Sequence, residues 1–257
     1  MKNKKTIWII ALIVVILLIA VVGFGIFKKL THKVQNPIVT MEVEGYGTVK
    51  MELYPDMAPN TVKHFIKKIN EGYYNGLTFH RTIPDFMIQG GDKAGTGSGE
   101  LDYALEGEFI ANGFSQNTLK HERGVLSMAR GDYSSLGSGL TSYSYNSAGT
   151  QFFIVTKDTT HLDGYYTAFG KVIEGMEEVV DKIVNTEVVY RSSELTEGQE
   201  APKDEEGNTI PSDKPVNPPV IKSMTVDTFG VDYGEPKTVE PFDYMSWFNS
   251  NYGLLME

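Results

Sequence analysis

The chain has 257 residues, 41% of them hydrophobic, a formal net charge of −10 and no cysteine. That length and apolar content support a packed core and exclude a globally disordered chain. The missing cysteines exclude disulfides, thiol nucleophiles and Cys-ligated metals, and the acidic balance argues against a nucleic-acid binder. Charge is also uneven: residues 1–33 carry six lysines and no acid, which leaves 17 basic against 33 acidic residues, a net of −16, in the rest.

Ile7 to Phe27 are 21 consecutive uncharged residues. At ~1.5 Å per residue a helix of that length spans about 30 Å, the hydrocarbon thickness of a bilayer. A cleaved signal peptide has a shorter apolar region and a small-residue cleavage site, whereas here Lys28 and Lys29 follow directly. A buried core helix is the other alternative. The pattern predicts an uncleaved anchor over residues 1–29, followed by a polar linker over 30–37. Lys2, Lys4 and Lys5 before the span and Lys28, Lys29 and Lys33 after it nearly balance. The α-amino group tips orientation toward a cytoplasmic N-terminus and a body outside the cytoplasm. The expected localisation is a single-pass protein of the cell membrane.

From residue 38 the chain reads as strands. Ile38–Val43 and Thr48–Leu53 alternate apolar and polar residues around a Gly-containing turn, the pattern of a hairpin with one wet face. Pro59 opens a helix with apolar Val62, Phe65, Ile66 and Ile69 on one stripe, and Gly72 ends it. Further strands are predicted at Leu77–Thr82, Phe86–Gln89, Gly124–Ala129, Gln151–Thr156 and Ala168–Val172, a second helix at Met176–Ile183, and a last strand at Val220–Asp227. Gly/Ser/Tyr-rich residues 131–149 and Glu/Pro-rich residues 192–219 read as exposed loop insertions. The tail over 230–257 carries Trp247, Phe248 and Tyr252, too apolar for a mere linker. Many short strands with two helices predict a mainly β structure.

No nucleotide-binding loop ending in Gly-Lys-Ser/Thr, no zinc-protease helix motif and no metal-ligand spacing of histidines is present. Gly95-Thr96-Gly97-Ser98-Gly99 reads as a structural loop, and Arg130-Gly131-Asp132 as a chance tripeptide. No metal and no cofactor is expected.

Three segments carry a more specific signal: FHRTIPDFMIQGGD (Phe79 to Asp92), GVLSMAR (Gly124 to Arg130) and NSAGTQFFIVT (Asn146 to Thr156), followed by HLDGYYTAFGKV (His161 to Val172). In order and content these blocks resemble the cyclophilin family of peptidyl-prolyl cis/trans isomerases. GTVKMELYPDMAPNTVKHF (Gly47 to Phe65) is similar to that family's first hairpin and helix. The resemblance covers residues 38–190 and the final strand. It implies a closed eight-stranded antiparallel barrel capped by two helices, within a domain over 38–229. It implies that Arg81 is the catalytic residue. Phe86, Met87 and Phe153 then wall a proline pocket, with Leu162 as a further apolar wall. Gln89 and Gln151 hold the peptide backbone, and Ala129 and Arg130 form the edge along which it lies. The sequence departs from the family pattern at His161, where many members carry Trp; at Tyr166, where many carry His; and at Arg130, where Asn is common. The His161 departure predicts weak binding of cyclosporin. The expected partners are proline-containing polypeptides, with assistance to folding of exported or cell-surface proteins as the role. A catalytically weak, membrane-tethered proline-peptide binding module or scaffold is the alternative.

Overall fold

The computed structural model describes residues 8, 9, 13–18, 20, 35–99, 102–137, 139–196 and 199–252. Residues Met1–Gln35 and Asn36–Glu257 form separate compact units. In the first, residues 8, 9, 13–18 and 20 are helical. The rest of the predicted span over Ile7 to Phe27 lies outside the described residues, as does Gly253 to Glu257 of the tail. Among the described residues no helix is long and apolar enough to cross a membrane.

The second unit starts with the hairpin of β1 (Ile38–Val43) and β2 (Gly47–Leu53), paired antiparallel with Val39 opposite Met51. Val39, Met41, Val43, Val49, Met51 and Leu53 are all buried, as strict alternation requires when one face of a strand meets the core. Helix α1 (Pro59–Asn70) follows, with Pro59 in its first turn. Ala58, at the cap position, has no side-chain acceptor. The carboxylate of Glu108 substitutes for it, accepting the Asn60 and Thr61 N–H groups at 2.9 and 2.7 Å. An acid there satisfies two orphan donors and complements the positive end of the helix dipole. The apolar stripe of α1 faces an aromatic cluster in which the Phe65 ring lies 5.0 Å from Tyr74, 5.5 Å from Phe152 and 5.0 Å from Phe169.

The remaining strands are β3 (Thr78–Ile83), β4 (Met87–Asp92), β5 (Val125–Met128), β6 (Phe152–Val155), β7 (Ala168–Glu174) and β8 (Ile221–Asp227). All eight belong to one antiparallel sheet in the order β3-β4-β6-β5-β7-β2-β1-β8. Two further helices are short, α2 (Thr141–Tyr145) in the first insertion and α3 (Asp181–Val184), which continues a π-helical turn over Met176–Val180. The tail adds α4 (Tyr244–Tyr252).

The expected closed barrel is corrected to a half-barrel. β3 and β8 end the ladder, and among the described residues one isolated bridge, Thr78–Val220, stands between them. Phe79 N–H bonds the Pro219 carbonyl at 2.9 Å and Ile221 N–H bonds the Leu77 carbonyl at 2.8 Å. Gly76 N–H adds a bond to the Ile221 carbonyl at 2.7 Å, while in the other direction Pro218 and Pro219 have no N–H with which to extend the run.

Both insertions carry many exposed residues, as expected, and each is tied to the body at a few buried positions. Across the second, Asp213 is 1% exposed and its carbonyl accepts the Thr82 N–H at 2.9 Å, while Arg191 bonds the Thr82 carbonyl and stands 3.6 Å from the Asp213 carboxylate. The segment thus covers the edge of β3, which would otherwise present unpaired backbone groups. In the first, Leu140, Ser144 and Ser147 are buried.

Sheet periodicity places the functional face. On β6, Phe152 and Ile154 enter the main core while Phe153 and Val155 join a second apolar cluster on the opposite face. On β4, Ile88 points to the first and Met87 to the second. The second cluster, with Val125, Leu162 and Ala168, is flanked by Phe86, Ala129 and Tyr166.

Candidate active site

Nine of the eleven residues singled out from the sequence line one cavity of about 180 Å3: Arg81, Phe86, Met87, Gln89, Ala129, Arg130, Phe153, Leu162 and Tyr166. β3 and β4 supply Arg81, Met87 and Gln89, with Arg81 opposite Gln89 across the hairpin. Phe153 comes from β6, where it pairs with Gln89 of β4. Ala129 and Arg130 follow β5, and Ala129 N–H bonds the Gln151 carbonyl at 3.0 Å. Leu162 ends a 3₁₀ turn over Thr160–Leu162.

Gln151 lines the adjoining cavity instead, and its Oε1 accepts from Gln89 Nε2 at 2.9 Å. Gln89 Oε1 in turn accepts from Arg81 Nη1 at 3.4 Å. Arg81, Gln89 and Gln151 therefore form a polar chain along one side of an apolar cavity, with Phe153 and Tyr166 edge-to-face at 6.0 Å on the other. His161 sits exposed at the rim, its ring 6.1 Å from that of Phe86. The Arg130 guanidinium lies over the Tyr166 ring at 4.4 Å and donates through Nε to the Tyr165 carbonyl at 3.2 Å. Its charge is thereby held on the cavity wall by a cation–π contact. The same contact engages the first residue of the Arg130-Gly131-Asp132 tripeptide.

Beneath the wall lies a residue the sequence did not single out. His121 is buried and stacks on Phe153 with ring centroids 6.2 Å apart. Its Nε2 is 3.0 Å from Ser127 Oγ and its Nδ1 3.2 Å from Asp163 Oδ1, which also accepts the His121 N–H at 2.7 Å. Burial pushes the imidazole below its ordinary range, only partly offset by Asp163. Burial works to raise the Asp163 carboxyl, yet the two hydrogen bonds from His121 hold it below its usual range. A neutral ring fixed at both nitrogens thus supports Phe153. Its partner Asp163 is 42 positions away, so no local motif announces the pair.

The glycine-rich loop after β4 also resolves. The Asp92 carboxylate accepts the N–H groups of Ala94, Thr96 and Gly97 at 3.2, 2.9 and 2.8 Å. Those amides point at an internal anion, which is why the loop is no phosphate cradle. Gly91 adopts φ +88°, and a Cβ there would stand 2.5 Å from the Thr150 carbonyl oxygen.

The family model for cyclophilin-type peptidyl-prolyl cis-trans isomerases matches residues 38–226, which contain the whole cavity. The chain belongs to this family. Peptidyl-prolyl cis-trans isomerase B of Bacillus subtilis (strain 168) is 42% identical over 135 residues, 52% of this chain and 82% of its own length. The peptidyl-prolyl cis-trans isomerase of Synechococcus elongatus is 40% identical over 125 residues, 49% of this chain and 73% of its own. A longer relative, peptidyl-prolyl cis-trans isomerase-like 2 of Rhizopus delemar, is 40% identical over 163 residues, and the chain spans 26% of its length. Among solved structures, a cyclophilin-type isomerase of Cryptosporidium parvum, crystallised in the presence of the dipeptide Ala-Pro, superposes with a TM-score of 0.54 at 30% identity. That match covers 74% of this chain and 98% of the other. The isomerase activity of the cyclophilin family is the activity these relatives are named for.

Proposed function

We propose that this cyclophilin-family chain accelerates rotation about X–Pro bonds of exported or cell-surface polypeptides, with Arg81 as the catalytic residue and its body held outside the cytoplasm at a bacterial membrane. The observation that carries the catalytic part is the single cavity that joins Arg81 and Gln89 to the apolar walls Phe86, Met87, Phe153 and Leu162.

The chemistry needs no more than such a set. Peptide rotation meets a barrier of about 18–20 kcal/mol because resonance stiffens the C–N bond. Proline brings the two planar states close in energy, yet uncatalysed exchange takes tens to hundreds of seconds. No covalent bond breaks, so catalysis consists of binding the twisted state better than the planar ones. Twisting localises a lone pair on the prolyl nitrogen. Arg81 offers guanidinium donors to it. The apolar walls grip the proline ring while Gln89 and Gln151 hold the peptide backbone, so that one side turns against a fixed other. Lowering the barrier by about 7 kcal/mol gives roughly a 10⁵-fold acceleration. The relative crystallised with Ala-Pro supports a prolyl dipeptide as the minimal occupant. With His161 at the exposed rim beside Phe86, the proposal retains weak cyclosporin binding.

The membrane part rests on the lysine-flanked uncharged run of Ile7 to Phe27. Two experiments test the reading. A protease-free isomerisation assay of the full chain on a prolyl peptide is expected to show exchange well above the uncatalysed rate. An unaccelerated rate with peptide binding intact makes the chain a binding module. External protease added to intact cells is expected to digest the body, and full protection refutes the extracytoplasmic placement.

A further inference from the structure

The first insertion and the C-terminal tail meet beside the proline cavity. The tail is fastened on its way there. Glu235 pairs with Lys67 of α1, Lys237 N–H bonds Asn60 Oδ1 at 2.7 Å, and Val239 and Ala104 exchange two backbone bonds of 2.8 Å. Immediately beyond, Phe242 packs its ring 4.8 Å from Tyr133 and 4.4 Å from Tyr143 of the insertion. Pro241, Phe242 and Tyr133 then line a second cavity of about 430 Å3, which shares Gln89, Ala129 and Arg130 with the first.

We propose that Phe242 is a specificity-determining residue of the isomerase site, a wall built by the tail that receives a bulky apolar side chain two positions from the proline on the same peptide. The inference rests on the prolyl-peptide reading of the first cavity. In an extended peptide, alternate side chains share one face, so the residue two away from a seated proline is the one presented to an adjoining cavity. The lining gives the character of that side chain. Three of its polar side chains are engaged within the protein: Ser147 Oγ accepts the Gly131 N–H at 2.8 Å and donates to the Ser144 carbonyl at 2.7 Å. Thr150 Oγ1 donates to the Gly91 carbonyl at 2.9 Å, and Gln151 Nε2 to the Gly97 carbonyl at 3.1 Å. The Phe242 and Tyr133 rings then face a floor of Gly97, Gly99, Gly131 and Gly149, and that aromatic surface favours an apolar or aromatic guest on the tail side of the cavity. Because the tail is anchored at three points before Phe242, the ring is pre-organised and little ordering accompanies binding.

The test uses the full chain and three prolyl peptides, carrying Phe two residues before the proline, Phe two residues after it, or Gly at both places. The natural chain is expected to show a KM about fivefold lower for one of the two Phe peptides than for the Gly peptide, the size of one aromatic contact. Phe242→Ala is expected to erase that difference and Phe242→Tyr to restore it. Should Phe242→Ala lose cooperative thermal unfolding, Phe242→Leu replaces it, since it keeps apolar volume and removes the ring. Equal KM values for the three peptides with the natural chain, or an equal change for all three in the variant, overturns the role of Phe242 while leaving the isomerase reading intact. Absence of acceleration on every peptide overturns the isomerase reading itself.

Discussion

Replacing Arg81 by alanine removes the one cationic group that the cavity can turn toward a prolyl nitrogen without first taking it from another ring, since Arg130 is committed to Tyr166. Among the described residues Arg81 makes one side-chain hydrogen bond, to Gln89 Oε1 at 3.4 Å. That length lies beyond the usual range of about 2.7–3.2 Å, so most of its five donors are available to substrate. Loss of one pre-organised donor from a catalytic site typically costs about 10²–10³ in kcat, or roughly 2.7–4 kcal/mol. Arg81→Ala is therefore expected to lower kcat/KM by about 10²–10³. Most of the loss falls on kcat, because the planar ground state gains little from this donor. Arg81→Lys keeps charge without the planar fork and is expected to fall between the two. Magnetisation-exchange NMR on a prolyl peptide measures the rate with no coupled protease. Arg81 is only partly buried and belongs to neither apolar cluster, so thermal unfolding should move by less than about 1 kcal/mol, which separates lost chemistry from lost folding. A value for Arg81→Ala within about threefold of the natural chain, under 1 kcal/mol of barrier, refutes the assignment.

Three other outcomes follow from the packing. Burial lowers His64 and His80 to about 4 from 6.5, so the unfolded chain binds more protons between those values and stability falls as pH drops from about 6.5 toward 4. The limiting loss is about 3 kcal/mol for each ring, read as denaturation midpoints against pH, and a flat profile over that window contradicts it. His121→Ala leaves Ser127 Oγ and Asp163 without their partner and opens space under Phe153. It should destabilise by about 2–4 kcal/mol and raise KM for prolyl peptides, whereas an unchanged KM in the folded variant argues against a positioning role. Gly91→Ala forces a Cβ to 2.5 Å from the Thr150 carbonyl at φ +88°. A loss of about 3 kcal/mol or more is expected in chemical denaturation, and a loss under 1 kcal/mol would show that the β4 end and the Thr150 strand entry yield easily.

Much of the fold was legible because the local rules agree with the tertiary outcome. Alternation over 38–53 and the apolar stripe of α1 name the same residues that the core buries. The apolar and polar walls of the cavity were legible through the resemblance carried by the blocks from Phe79 to Val172, and nine of the eleven positions do converge on one cavity. The closed barrel was a misreading with a physical origin. A closed barrel depends on whether two strands about 140 positions apart complete their ladder; among the described residues one bridge joins them, and Pro218 and Pro219 stop its extension on one side. Residues 192–219 are mostly exposed, as their polar composition predicts, but the contact of buried Asp213 with Thr82 of β3 is long-range and has no local signature.

The sequence by itself determined the alternating strands, the helix that Pro59 opens and the absence of thiol chemistry, because each depends on periodicity or on residue identity, while the residue types at the cavity came through the family resemblance. Only the tertiary structure decided that Glu108 caps α1, that His121 braces Phe153 from below, and that Phe242 of the tail joins Tyr133 beside the proline cavity. Each of these pairs residues between 32 and 109 positions apart, brought together by burial of apolar surface and by hydrogen bonds that have no local sequence signature.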